Sequence, residues 1–426
     1  MCKATVALTG IALLCGGLLV SPTNAKSKAN PDTSKESKEW VNAVDPKPLS
    51  ENVQRGIGWL TEHQLESGAW GQGEESAAMG HGQKLKDIAS VADTCIATLA
   101  LLRSGSTPSE GPHEKQVLAA INYICSEIEK SDKDSLSVTS TRGTRVQGKL
   151  GPYIDTFMAC TVLSEVQNKM PDEASHNRAS TALDKVLHKI QKNQRKDGTW
   201  DDRGWAATLS QSMAVKGLNR AAQAGKQVDE KVREKAEEYT RSQFDKSSKT
   251  FSSKGTAGVS LYGAASQLGA LNDSVNTNEE QAAELEKRPQ TDPDAPTPTP
   301  GPPLSEEEKQ KKLARFKEAK EDLAAARKAV VEKLNDKRFV AGFGSNGGEE
   351  FLSYLNIGEA LVVAGGEDWE KWDKAMTENL NRIQNKDGSW TGHHCITGRT
   401  FCTSAALLVL MVDRTPVPVA VKMKQR

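Results

Sequence analysis

Two short stretches concentrate side chains able to do chemistry. GHHCITGRTFC, residues 392–402, carries His393, His394, Cys395, Arg399 and Cys402, and VADTC, residues 91–95, carries Asp93 and Cys95. Carboxyl, imidazole and thiol groups are the ones that move protons, hold metals or form disulfides. Asp93, Asp155, Tyr262, Tyr354 and Arg399 start or occupy helical patterns that read as interior, so the last four of these join Asp93 as candidates to line a central pocket. Capping or core packing is the commoner duty of such residues. Other acids read as solvated: Asp201 and Asp202 in TWDDRGW follow a turn, and the PDPD run lies among prolines. AGFGSNGGEEF, residues 341–351, is Gly-rich but has no preceding strand and no Lys at phosphate-loop spacing, which excludes that motif and leaves a loop at a mouth. Spacing alone identifies no catalytic pair.

The elements that must position these residues announce themselves through a repeat. QLESGAW (64–70), QRKDGTW (194–200) and QNKDGSW (384–390) share the pattern Gln, three residues, Gly, one residue, Trp. Each has an apolar residue four positions before the Gln: Leu60, Ile190 and Leu380. Gly68, Gly198 and Gly388 can end a helix at positive φ. Gln64, Gln194 and Gln384 can bond backbone groups at the helix end. Trp70, Trp200 and Trp390 can bury a large ring against the next unit. The unit reads as a structural clasp rather than a ligand-stacking surface.

Around the clasps, helical patterns alternate between charged amphipathic ones and ones that are small and apolar nearly all round. The first kind lies on a surface and the second is buried. Pairing one of each gives six hairpins, at about 50–105, 113–170, 176–225, 229–272, 305–366 and 369–413. Strand-like alternation is essentially absent, so the chain is expected to be all-α, an α/α toroid of six hairpins closed into a ring over residues 48–413. A Pro-rich insertion is expected at 273–304. Residues 1–25 read as an export signal cut after Ala25, 26–47 as a disordered leader and 414–426 as a loose tail. No other segment is apolar enough to span a membrane, so the expected location is periplasmic or extracellular. With 56 basic and 56 acidic residues, the chain has no electrostatic footprint for nucleic acid.

The clasp pattern resembles the QW repeat of the squalene cyclase and protein prenyltransferase-like superfamily, whose members fold as α/α toroids. The resemblance spans most of residues 48–413, with a degenerate unit around Gln243 and Phe251 in hairpin four. A class II terpene cyclase would carry a DxDD acid motif, and the chain has none. Aromatic residues amount to 5%, too few to line a carbocation cavity. Protein prenyltransferases hold zinc with an Asp-x-Cys pair and a His, and Asp93-Thr94-Cys95 matches that pair. Ring closure would bring His393, His394, Cys395 and Cys402 beside it as further zinc ligands. A Cys95–Cys402 or Cys395–Cys402 disulfide explains the same cysteines equally well, and one or two bridges are expected among the five beyond the signal. The leading expectation is a toroid that binds a lipid-like or peptidic ligand in a central cavity or at its mouth. The alternatives are a zinc-dependent transferase-like or glycan-active enzyme, and a protein-interaction scaffold.

Overall fold

Each helical pattern becomes a helix, and several open on a capping side chain. Ser50 accepts the Val53 amide at 3.3 Å and opens α1 (Glu51–Glu62), and Ser90 does the same for α2 (Val91–Arg103) through the Asp93 amide. In the computed structural model, which describes residues 40–76, 85–201, 203–287, 304–340 and 347–423, these two helices form the first hairpin. The second is α3 (Glu114–Lys130), a single-turn crossing helix α4 (Arg145–Leu150), and α5 (Ile154–Glu165). Then come α6 (Glu173–Lys192) with α7 (Ala207–Gln223), and α8 (Glu230–Ser242) with α9 (Ser260–Lys287). The fifth pair is α10 (Glu306–Lys333) and, after the short α11 (Lys337–Val340), α12 (Gly348–Ala364). The sixth is α13 (Gly366–Ile383) with α14 (Arg399–Leu410).

The first helix of each pair buries one stripe: α1 hides Val53, Gly56, Ile57, Trp59 and Leu60 and leaves the rest exposed or half-buried. The second is buried nearly all round, and α5 is buried at every position. The inner helices pack in chain order, α2 on α5, α5 on α7, α7 on α9, α9 on α12 and α12 on α14, and α14 returns to α2. That last contact closes the ring. Small residues permit the close approach: a Cβ on Gly269 of α9 would lie 2.9 Å from the Asn356 side chain of α12. The interior is filled with short side chains; Thr98, Ser353 and Ser404 are fully buried. The fold is all-α, as the helical periods predict, but its centre is packed rather than hollow. Among the described helices, none is long and apolar enough to cross a membrane.

Three boundaries differ from the sequence reading. Residues 40–47 and 414–423 are neither leader nor loose tail. β1 (Trp40–Asn42) pairs antiparallel with a C-terminal strand (Pro416–Pro418), with Val41 opposite Val417, which is fully buried. Ala43 donates to the Thr415 carbonyl at 3.1 Å and the Lys47 amide to Asp413 at 2.7 Å, which fixes both ends. The helix that follows, Val419–Met423, packs on α9. Second, α9 runs to Lys287, so residues 273–287 are helix and not insertion. Its polar residues looked like a loop because their partners are distant in sequence: Thr277 accepts from Gln223 at 2.9 Å and Asn278 from Arg233 at 3.1 Å. Third, hairpin four replaces the clasp by a small ribbon in which Phe244 pairs with Phe251, their rings 4.8 Å apart. The signal at 1–25, the leader at 26–39, the Pro-rich run 288–303, the stretch 341–346, Asp202 and residues 424–426 lie outside the described residues.

Candidate functional site

The three clasps are superimposable in their bonding. Each Trp indole donates to the carbonyl of the apolar residue ten positions earlier, Trp70 to Leu60, Trp200 to Ile190 and Trp390 to Leu380, all at 2.8 Å. Each Trp backbone amide donates to an early side chain of the inner helix that follows: Thr94, Gln211 and Thr403, at 2.9–3.0 Å. Each Gln donates to its own clasp Gly carbonyl and to a first-turn carbonyl of the next outer helix: Gln64 to Gln116, Gln194 to Val232, and Gln384 to Asn52. The Gln therefore ties neighbouring hairpins together instead of capping its own helix. Gly68, Gly198 and Gly388 have φ of +83°, +85° and +92°. They press so close to the next outer helix that a Cβ would meet its backbone at 2.2–2.6 Å. Gln384 and Gly388 make this contact with α1, so the third clasp bolts the ring seam.

Because every inner helix is entered from the same side, their N-termini gather at one mouth, and hydrogen bonds from backbone amides link them around it. The Ala92 amide of α2 donates to Asp155 of α5 at 3.0 Å. Thr208 of α7 donates to Gly255 ahead of α9, Gly348 of α12 to Ile396 ahead of α14, and Thr400 of α14 to Gln72 ahead of α2. The helix α4 lies across this end, held by a capping box between Thr144 and Gln147. Gln147 also donates to Asp155 at 2.8 Å.

Two carboxyls at the mouth stand out. Asp93 is fully buried and neither of its oxygens has a hydrogen-bond partner. Burial pushes its pKa up to about 7, with the Asp155 carboxylate adding to the shift; the Ser90 hydroxyl opposes it without reaching bonding geometry. Glu349 is 1% exposed. Its Oε2 accepts the Ile396 amide at 3.1 Å, whereas Oε1 is buried without a partner. Burial raises Glu349 to about 7 as well, against the pull of that amide and of Lys149. Both are poised to hold a proton near neutrality. Asp155, by contrast, has both oxygens bonded and serves as a cap for α2.

Around Glu349 sit Lys149 and Arg145 of α4, one turn apart. Arg145 is paired with Glu75 at 2.9 Å. Lys149 lies 5.0 Å from the ring centre of Trp205, whose 48% exposure makes it one of three large apolar side chains left open among the described residues. The His394 Nδ1 is 2.8 Å from the Cys395 sulfur, and Cys395 itself has φ of +64°. Glu349, Lys149, Arg145 and Trp205 were missed by sequence reasoning. The available signal was a pair of acids opening an otherwise apolar helix in GGEEFLSYL, which also fits an ordinary negatively charged first turn.

The residues proposed as zinc ligands do not assemble. Among the described residues no three His, Cys, Asp or Glu side chains come together in a way that could hold a metal. Cys402 donates its thiol proton to the Ile396 carbonyl at 3.3 Å, and burial keeps the Cys95 and Cys402 thiols protonated. His393 and His394 are exposed on their loop. The donor set does not fit the metal. Disulfides are likewise not formed: Cys95, Cys125, Cys160, Cys395 and Cys402 are all free, buried thiols. Of the pocket candidates, Tyr354 is a core residue donating to the Val340 carbonyl at 2.7 Å. Tyr262 is buried where Glu349 and Glu350 influence it, and burial holds its hydroxyl protonated. Arg399 sits on the rim, paired with Asp387 at 2.5 Å. Two further concavities are a water-sized space of about 20 Å³ between Trp200, Thr208 and Tyr239, and a surface cleft of about 270 Å³ between α3 and α6 whose Arg178 is already paired with Glu129.

No family model matches the chain, and no curated protein sequence matches it. Solved structures similar to it include a novel alpha-amylase from Clostridium perfringens, at 10% identity and a TM-score of 0.44, covering 86% of this chain and 99% of that one. A glycosidase variant is similar at 12% identity and a TM-score of 0.34, covering 86% and 96%. Likeness at this level carries no argument about activity.

Proposed function

We propose that the mouth formed by the inner-helix N-termini is a ligand site worked by two buried carboxylic acids, and that its ligand is peptidic. The observation that carries this reading is the pair Asp93 and Glu349, buried at the mouth with unpartnered oxygens. Leaving such groups unsatisfied costs stability, so their retention is best explained by a partner that arrives with the ligand. A protonated carboxyl donates to a carbonyl, a group that peptides repeat at every residue. Lys149 offers a charge for a carboxylate. A lipid-like ligand is disfavoured, because the ring interior is packed and the mouth is charged. A second reading, a glycan ligand, is favoured by the exposed ring of Trp205 alone. The three clasps support placing the chain in the squalene cyclase/prenyltransferase-like superfamily, and the N-terminal sequence supports export.

The test is binding of the purified protein to an array of unstructured peptides and to a set of oligosaccharides at pH 6. Peptide binding that is abolished in Glu349→Leu supports the proposal. Binding of oligosaccharides alone, lost in Trp205→Ala, would replace it with the glycan reading. Peptide binding unchanged in Glu349→Leu and Asp93→Leu would move the site elsewhere and favour a scaffold.

A further inference from the structure

Of the five described cysteines, Cys395 differs from the rest in backbone, neighbour and setting. Cys95, Cys125, Cys160 and Cys402 sit within helices. Cys395 sits on the mouth loop in the left-handed region, which a side chain adopts only under strain. Among the described residues two other non-glycines share that conformation, Lys249 in the exposed ribbon turn and Ala257 in the loop before α9; of the three, Cys395 alone is buried. The conformation is enforced from the next residue. Ile396 is held by three bonds, its amide to Glu349 and its carbonyl from Gly348 and Cys402, at 3.0–3.3 Å.

The neighbours of that thiol are those a nucleophile needs. His394 brings Nδ1 to 2.8 Å from the sulfur while its ring remains exposed. The buried Glu349 carboxyl lies beside it and interacts with the thiol. Lys149 supplies positive charge.

We infer that Cys395 and His394 form a nucleophile–base pair that accepts an acyl group from a ligand carbonyl at the mouth. Burial, helped by the Glu349 carboxylate and opposed by Lys149, pushes the thiol up to about 11, so the attack requires proton removal in concert. The thiol proton passes to His394 Nδ1 as the sulfur–carbon bond forms. The bond from the acyl carbon to its leaving oxygen or nitrogen then breaks, and the imidazolium returns the proton to that leaving group. A thioester on Cys395 remains, and water hydrolyses it to a carboxylic acid and the free thiol. The substrate class is an ester or activated amide. The inference takes the mouth as the ligand site, but its test requires no affinity for peptides.

The experiment exposes reduced full-length protein to p-nitrophenyl acetate at pH 7, following nitrophenol release and mapping the acetyl group by peptide mass spectrometry. The expected result is a burst of one nitrophenol per chain with the acetyl on Cys395. The burst should be absent in Cys395→Gly, which keeps the left-handed backbone without strain, and slowed roughly 100-fold in His394→Gln with an unchanged thermal midpoint. Acetylation confined to lysines, or Cys395 acylation at the same rate in His394→Gln, would overturn the pair. Failure of the peptide array with an intact burst would sink the peptidic reading and leave the nucleophile standing.

Discussion

The two ends of the inner ring bury charge in opposite ways. Toward the helix C-termini, Arg103 grips Glu165 with two bonds at 2.6 and 2.8 Å, and Lys216 sits between Glu359 at 2.5 Å and Asp273 at 3.0 Å. Arg220 approaches Glu165 at 3.7 Å, donates to the Pro416 carbonyl and lies against the Trp40 ring, so the terminal ribbon covers this end. Burial alone would raise Glu165, but Arg103 and then Arg220 outweigh it and hold the carboxyl down at about 2. At the mouth the same burial acts on Asp93 and Glu349 without a matching cation in contact, and both rise to about 7. Burial is common to both ends; at Glu165 the paired guanidinium groups reverse its effect, whereas at Asp273 burial still raises the carboxyl beside Lys216. The closed end is a structural lock, and the mouth retains two acids with unpartnered buried oxygens.

The sharpest way to break this contrast is at the lock. Arg103→Met leaves Glu165 buried with only the more distant Arg220 and Lys169 and should destabilise the fold by about 3–5 kcal/mol in urea titrations. Adding Glu165→Met should recover most of that loss. A double variant as unstable as the single one would show that the network contributes more than charge neutralisation.

At the mouth the sign reverses. The folded pKa of Glu349 stands above the unfolded value of 4.5, so the native state holds a proton that the unfolded state releases, and stability falls as pH rises from about 4.5 to 7. Glu349→Gln removes that penalty. The variant should match the parent at pH 4 and exceed it by on the order of 2 kcal/mol at pH 8. Loss of stability at pH 8 would mean that the carboxylate is paired after all. The smallest effect belongs to Lys149→Met: stability should change by less than about 0.5 kcal/mol, while proton release from Glu349 moves to higher pH.

Much of this frame was legible from local patterns. Helical period and small-residue composition located all six hairpins, and the Gln, Gly and Trp spacing located the clasps, because each is written within seven consecutive residues. The ribbon was not legible: Trp40–Asn42 and Pro416–Pro418 are three-residue strands from opposite chain ends, too short to show alternation. The continuation of α9 was hidden because NDSVNTN reads as a loop until Arg233 and Gln223 are brought to it. The mouth was half legible. Asp93 and the GHHC loop were found from residue type, but Glu349, Lys149 and Trp205 meet them only through ring closure. Residue type also suggested a metal site at the mouth, whereas the cysteine and histidine side chains there bond to carbonyls and to each other.

Difference infrared spectroscopy of the carboxyl stretch against pH measures the protonation of Asp93 and Glu349 directly. The expected result is a protonated carboxyl signal surviving to about pH 7 that is lost in Asp93→Asn, and a second that is lost in Glu349→Gln. Complete ionisation of every carboxyl below about pH 5, the ordinary range for exposed acids, would contradict the account.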